Sequence, residues 1–276
     1  GKKSSVKCLS WIADFQHLHY PNYFKLKTRM LRNLNIIFCA IHSPRILLSS
    51  YDAQKDLKKV SKKAYKKSAV SQFFFESPKK KEILSLSYLK EKFKLDNKFF
   101  YLPNQYWAHK NHIVVLKALK YLKNNKCNYT VVSTGHKEDH RNSFYFDKIQ
   151  KYIKVNNLQI NYKYIGLVDY SEVISLMYHC VALINPSEFE GRHSSLEQAR
   201  SLGKQMILSK INIHKEQSPP RTLYFNKDRS SQLAKLMKKT WSNYHPQKNS
   251  FYYYKAVRQN KLNLIKYYKD WEKVVT

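Results

Sequence analysis

Short runs of β-branched and aromatic residues alternate along the chain with longer stretches whose apolar positions recur at helical spacing. Val6 to Ile12, Arg45 to Ser49, Phe99 to Leu102, Tyr129 to Ser133, Tyr162 to Ile165, Val181 to Ile184 and Gln205 to Leu208 predict strands. Between them, Ile113 to Lys123, Ser143 to Val155, Ser171 to His179 and Ser194 to Leu202 predict helices. Alternation of this kind predicts an α/β fold with doubly wound parallel sheets. The unbroken apolar run Val181-Ala182-Leu183-Ile184 suits a strand covered by helices on both faces. Gly135, Gly166, Gly191 and Gly203 follow a strand or end a helix, where a chain needs positive φ or close approach to a ligand.

A lysine-rich stretch of helical character between residues 77 and 97 precedes Phe99-Phe100-Tyr101-Leu102 and marks a seam. The expected organisation is a partial N-terminal domain over residues 1–90 and a second α/β domain over 91–245. An aromatic, basic helix over 246–276 would return to the first domain. Lys55 to Lys67 holds seven lysines, with Leu57, Val60 and Ala64 at near-helical spacing. That predicts one basic amphipathic helix, either a solvated face or a face that docks on an anionic membrane leaflet.

With 276 residues there is room for one large or two modest domains, and 43% hydrophobic residues exclude a disordered chain. No apolar run approaches the roughly 18 residues that span a bilayer. Gly1-Lys2-Lys3-Ser4-Ser5 opens no signal peptide, so the chain reads as soluble and cytoplasmic. Cys8, Cys39, Cys127 and Cys180 are scattered, without C-x-x-C spacing, and are expected to be reduced and mostly buried. Lys and Arg number 51 against 19 Asp and Glu, a net charge of +32. Nucleic acid, an anionic membrane face, or a composition skewed toward Lys, Tyr and Asn would each account for it. The basic residues are spread along nearly the whole chain, so charge alone selects none of the three.

The stretch richest in chemistry is Asn185-Pro186-Ser187-Glu188-Phe189-Glu190-Gly191-Arg192-His193-Ser194-Ser195-Leu196-Glu197. It begins where an apolar strand ends and runs straight into a helix. Ligands of open parallel sheets bind at the carboxyl ends of strands, and a helix N-terminus there offers free N–H groups to an anion. Three carboxylates within ten positions suit a ligand rich in hydroxyls. Taken alone, Ser194-x-x-Glu197 also reads as a capping box, and Glu188 as a solvated side chain.

Within this block N-P-S-x-F-E-G is similar to that of glycosyltransferase family 4, and Glu190 with Glu197 resembles the family's E-x7-E signature. Ile165-Gly166-Leu167-Val168-Asp169-Tyr170 looks like its nucleotide-base loop, and Leu102 to His112 like the opening of its donor domain. Trp11 to Pro21 resembles an acceptor-domain loop of its polysaccharide-type members. The resemblance runs over roughly residues 8 to 245 and implies a GT-B fold, two Rossmann-like domains facing a cleft, with the first domain incomplete here.

The resemblance also implies roles. Glu197 would take the donor ribose hydroxyls, and Glu190 the transferred sugar. Backbone N–H groups of Gly191, Arg192, His193 and Ser194, followed by Ser195, would hold sugar hydroxyls and phosphate. Lys110 would neutralise the diphosphate leaving group. Val168 would pack on the base, with Gly135 and Gln105 on the donor side. His17 would face the donor sugar and acceptor, with His19 and the slot at Ala13 left as alternatives. Family members usually carry an Arg where this chain has Gln105, and Arg192 would replace that cation in part. The implied activity is metal-independent, retaining transfer from a nucleotide-sugar donor to a glycan or lipid-linked acceptor in polysaccharide biosynthesis, with no cofactor.

His17 with His19, His109 with His112, and His136 with His140 have metal-like spacings, but no Cys or carboxylate cluster joins them. Neither a P-loop nor G-x-G-x-x-G occurs, which excludes those nucleotide-binding classes. Two rivals stand beside the transferase. One is a basic nucleic-acid-binding protein, although no recognised binding motif accompanies its charge. The other is a non-catalytic remnant that still binds nucleotide.

Overall fold

The computed structural model describes residues 9–139, 141–217 and 219–275. Residues 6–8 of the first expected strand, including Cys8, and His140 of the His136–His140 pair lie outside them. Three short strands, β1 (Ser10–Ile12), β2 (Ile46–Leu48) and β3 (Ser68–Val70), pair in parallel and in that order. They are joined through α1 (Gln16–His19), α2 (Leu26–His42), α3 (Tyr51–Val60) and α4 (Lys62–Lys66). After α5 (Leu86–Phe93) the chain builds a second sheet from β4 (Phe100–Pro103), β5 (Val131–Thr134), β6 (Tyr162–Tyr164), β7 (Leu183–Asn185), β8 (Met206–Ser209) and β9 (Thr222–Phe225). The helices between and after these strands are α6 (His112–Asn124), α7 (Tyr145–Val155), α8 (Tyr170–His179), α9 (Ser194–Ser201), α10 (Asn212–Gln217), α11 (Ser230–Ser242) and α12 (Asn249–Val275).

All pairings in the second sheet are parallel, in the order β6-β5-β4-β7-β8-β9. The chain therefore winds outward from β4 to one edge, returns to β7 and winds to the other, the doubly wound arrangement expected. Helices cover both faces, so Phe100, Leu102, Val131 and Ile184 bury on one side and Tyr101, Val132, Leu183 and Leu208 on the other. That two-sided burial is why these strands read as continuous apolar runs. The two strands that sequence pattern missed, β3 and β9, are edge strands: Ser68-Ala69-Val70 is half-buried throughout, and Thr222-Leu223-Tyr224 is too.

The basic segment 55–67 does not form one helix. Ser61 has extended backbone (φ −155°, ψ 109°), and its hydroxyl accepts from the Ala64 N–H at 3.1 Å to start α4. Leu57 and Ala64 are fully buried with Phe15, Ile36 and Leu48, so this stripe is occupied by the core of the first sheet. It has no apolar face left for a membrane. By contrast α2 buries Ile36 and Ala40 while exposing Leu26, Met30, Leu34, Phe38 and Ile41. No helix among the described residues is long and apolar enough to cross a membrane. Cys39, Cys127 and Cys180 are free thiols, with Cys180 buried and the other two half-buried.

Candidate active site

Neighbouring strands β4 and β7 lead to opposite halves of the sheet, the switch point beyond whose carboxyl ends doubly wound sheets form their ligand crevice. From β4 the chain delivers Asn104 and a single 3-10 turn, Ala108–Lys110. From β7 it delivers Asn185 and the loop 186–193, which runs into α9. The Glu188 N–H donates to the His109 carbonyl at 2.8 Å and stitches the two loops together.

Lys110 Nζ stands 2.6 Å from Glu190 Oε1, and both side chains are nearly buried. His193 Nε2 lies 3.4 Å from the same Glu190 oxygen and 3.1 Å from Asn104 Oδ1. Nε2 faces these two acceptors and also Lys110 Nζ, a donor only, at 3.5 Å, so the contacts leave the proton on either Nε2 or Nδ1. That Nδ1 is buried with no partner among the described residues. Burial alone would raise the Glu190 pKa, but the charge and hydrogen bond of Lys110, joined in acid by protonated His193 and His109, outweigh it and hold the carboxyl at about 2. Burial pulls His193 down to about 3 and His109 to about 4, leaving both rings neutral near pH 7. An ammonium, a carboxylate and a neutral imidazole thus share one dry corner.

A second pair lies behind the first. Arg192 Nη2 and Glu197 Oε1 are 2.7 Å apart, each side chain only 1% exposed. Gln217 Nε2 donates to the same Glu197 oxygen at 2.8 Å and to the His193 carbonyl at 3.1 Å. The Arg192 guanidinium also lies over the Phe73 ring at 5.3 Å. Glu197 and the Phe73 carbonyl hold Arg192 through Nη2, while its Nε and Nη1 are buried without a partner among the described residues. Arg192 and Gln217 both hold Glu197 Oε1, whereas Glu197 Oε2 is buried without a hydrogen-bond partner among the described residues, 3.5 Å from Arg200 Nε.

Two further expectations are corrected. Six residues, one fewer than E-x7-E requires, separate Glu190 from Glu197, so the strict count falls on half-buried Gln198. The N-cap of α9 is His193, without a side-chain cap, and Ser194 is already helical. No capping box forms there, and the first-turn N–H groups of Ser194 and Ser195 have no side-chain cap.

The remaining predicted residues divide. Gly135 (φ +140°) sits where an added Cβ would fall 2.4 Å from the Asn104 carbonyl oxygen, so only glycine lets the loop after β5 pack on that after β4. Gln105 is exposed beside it. Val168 packs into the core, while Leu167 next to it is 70% exposed and offers the free apolar surface. His17 is buried, its ring packed near Phe15 and Phe24 and its Nε2 2.9 Å from Asn33 Oδ1. His19 instead packs 5.0 Å from the Phe189 ring and lies 2.6 Å from Asp56 Oδ2. The structure thus brings His19, rather than His17, against the donor-side loop. Gly191 meets Ala13: a Cβ there would lie 2.5 Å from the Ala13 carbonyl oxygen and 2.9 Å from Asp14 Cβ.

Several residues at this crevice escaped sequence reasoning. Asn104, Asn185 and Gln217 are buried amides, and only their places just after strands or in a short helix hint at them. Arg141 Nη1 crosses to Gln16 Oε1 at 2.8 Å. Its guanidinium stacks on Trp107 at 5.0 Å. Among the described residues no group of three or more His, Cys, Asp or Glu side chains is placed to hold a metal ion.

A family model described as glycosyl transferases group 1 matches residues 88–259. The Anabaena protein Alr3699/HepE, solved with UDP and glucose, superposes with a TM-score of 0.78 at 14% identity, covering 97% of this chain and 70% of that one. Sucrose-phosphate synthase from Thermosynechococcus elongatus gives 0.72 at 13% identity, covering 99% and 69%. WaaG, a glycosyltransferase involved in lipopolysaccharide biosynthesis, gives 0.67 at 12% identity, covering 92% and 70%. These likenesses establish a GT-B fold. No curated protein sequence matches the chain.

Proposed function

The chain belongs to the group 1 glycosyl transferases, and from that premise we propose that it transfers a sugar from a nucleotide-sugar donor to a saccharide acceptor. The observation that carries the reading is Lys110 paired with Glu190 at 2.6 Å beside the uncapped start of α9. In the free protein Glu190 neutralises the ammonium. A donor diphosphate on the α9 N–H groups would compete for Lys110, freeing Glu190 to accept sugar hydroxyls. His193 Nδ1, buried without a partner among the described residues, would meet another.

We take the reaction to be retaining and independent of metal. The bond from C1 to the phosphate oxygen breaks, its electron pair staying on the diphosphate. The acceptor oxygen bonds C1 from the same face and passes its proton to the departing phosphate. Lys110 and the helix N-terminus then stabilise charge that grows in the transition state, the most productive place for a fixed cation. We assign the acceptor to the glycan or lipid-linked class, supported by the exposed apolar residues of α2 on the acceptor-side sheet.

Calorimetric titration with UDP, GDP and ADP, followed by transfer assays with the matching labelled sugar nucleotides, tests the proposal. One nucleotide should bind, and Lys110→Ala should lower turnover about 100-fold, the scale of losing one oxyanion-stabilising donor. Absence of binding to all three at millimolar concentration sinks it. Binding without turnover would identify a non-catalytic nucleotide-binding protein.

A further inference from the structure

At the other end of the six-stranded sheet, near the amino ends of β7, β8 and β9, lies a cavity of about 240 Å³. Lys204 and Arg221, just before β8 and β9, line it together with Lys239 and Lys248. Asn249 and Tyr252, from the first turn of α12, complete that wall, and no carboxylate contributes to it. A whole strand length of sheet, about 10 Å at 3.3 Å per residue, separates it from the Lys110 crevice.

Lys204 is the unusual member. Only 4% exposed, its ammonium donates to the Tyr178 carbonyl at 2.8 Å and lies 5.3 Å from the Tyr244 ring centroid. Among the described residues it has no carboxylate partner, and two of its three N–H donors remain to be met. Burying an ammonium without a counter-ion is costly, and here burial lowers its pKa to about 8, with neighbouring Arg221 adding to the effect. Arg221 lies flat on the Tyr252 ring, 3.4 Å from its centroid, with Nη1 donating to the Gly203 carbonyl at 2.7 Å. That grip fixes the guanidinium and leaves its other N–H groups for a ligand. α12 adds the positive end of a 27-residue helix with no acidic residue in its first turn.

We propose that this cavity is a binding site for a small phosphate-bearing anion, separate from the donor crevice. Lys204 supplies the buried charge, Arg221 a planar fork for two phosphate oxygens, and Lys239 with Lys248 the cationic rim. The volume suits one phosphate or a pyrophosphate. Inorganic phosphate and a phosphorylated sugar present the same group and are separated by experiment.

The test is calorimetry with pyrophosphate, inorganic phosphate and a hexose 1-phosphate at 0.15 M salt, on wild type, Lys110→Ala, Lys204→Met and the surface double variant Arg221→Gln/Lys248→Gln. One saturable site should persist in Lys110→Ala and weaken at least about tenfold in the other two, the effect of losing one charge-assisted contact. Selectivity between the phosphates and the hexose 1-phosphate then names the source. Should Lys204→Met fail to fold, the surface double variant decides alone. Binding that is non-saturable, lost in Lys110→Ala, or unchanged in the double variant overturns the site. The outcome is independent of whether the crevice binds nucleotide.

Discussion

The carboxylate of Glu216 accepts hydrogen bonds from the backbone N–H groups of Tyr51 and Asp52, each at 2.8 Å. Tyr51 begins α3 beside the three-stranded sheet, whereas Glu216 lies in the last turn of α10 beside the six-stranded one. With the Ser50 hydroxyl serving the Ala53 N–H, a residue from the other half completes the cap of α3. Gln72 donates to the same carboxylate at 2.9 Å. Glu216→Ala should cost about 1–2 kcal/mol, the range for losing a cap and its charge-assisted bonds, with Glu216→Gln intermediate. Urea titration reads this directly. Equal midpoints for all three proteins would show that the contact is not formed in solution.

Glu197 and Arg192 make a buried pair whose structural and ligand-binding roles can be separated. Glu197→Ala leaves a buried guanidinium unpaired and should destabilise by about 3–5 kcal/mol. Arg192→Met/Glu197→Ala removes both charges and should regain most of that loss. If Glu197 also meets the donor ribose, nucleotide affinity stays low in the double variant. If Gln198 holds that role, Gln198→Ala loses affinity and the double variant keeps it. Calorimetry on folded, stability-matched proteins distinguishes the two.

Acid should unfold this protein early. Burial lowers His112 and His193 to about 3 and His109 and His214 to about 4, from an ordinary 6.5. Unfolding lets each take up a proton, so their stability is intact above pH 6.5 and drains as pH falls toward 4. Each fully titrating ring contributes a slope of about 1.4 kcal/mol per pH unit. Glu190 acts in a lower window: its pKa of about 2 preserves stability above its ordinary 4.5, and that share is lost only between the two values. Urea unfolding from pH 7.5 to 4.5 should therefore show a steep decline. A flat profile over that range contradicts neutral buried histidines.

Gly135→Ala places a methyl where φ is +140° and where the Asn104 carbonyl lies 2.4 Å away. Strain of about 1–3 kcal/mol is expected from the backbone alone. Displacing Asn104 should also loosen its contact with His193 and weaken nucleotide binding, while Gly166→Ala, with open space around its Cβ, perturbs the crevice less. A thermal scan with and without nucleotide measures both effects.

Much of this was legible beforehand because the central strands are buried on both faces. Phe99 to Leu102 and Val181 to Ile184 declare themselves by unbroken apolar runs, and the helix after Ser194 by its periodicity. β3 and β9 lack that signature because nearly all their residues are half-buried rather than enclosed. The break at Ser61 was hidden because its lysine-rich surroundings keep helical spacing on either side of it. Lys110 and Glu190 could be named because segments 102–112 and 185–197 resemble those of the family. Their 2.6 Å pairing, the capture of Arg192 by Glu197 and the exchange of His19 for His17 depend on how distant segments fold together. Local pattern holds no information about such meetings.

Position 191 carries a hydrogen atom where every other amino acid has carbon, and the opposing backbone at Ala13 comes close enough to use the difference. The aperture between the two halves is thus gauged by an omission. Graded side chains at this point, alanine and then valine, would act as shims of increasing thickness, turning the width of the groove into an adjustable quantity without altering a single polar group within it.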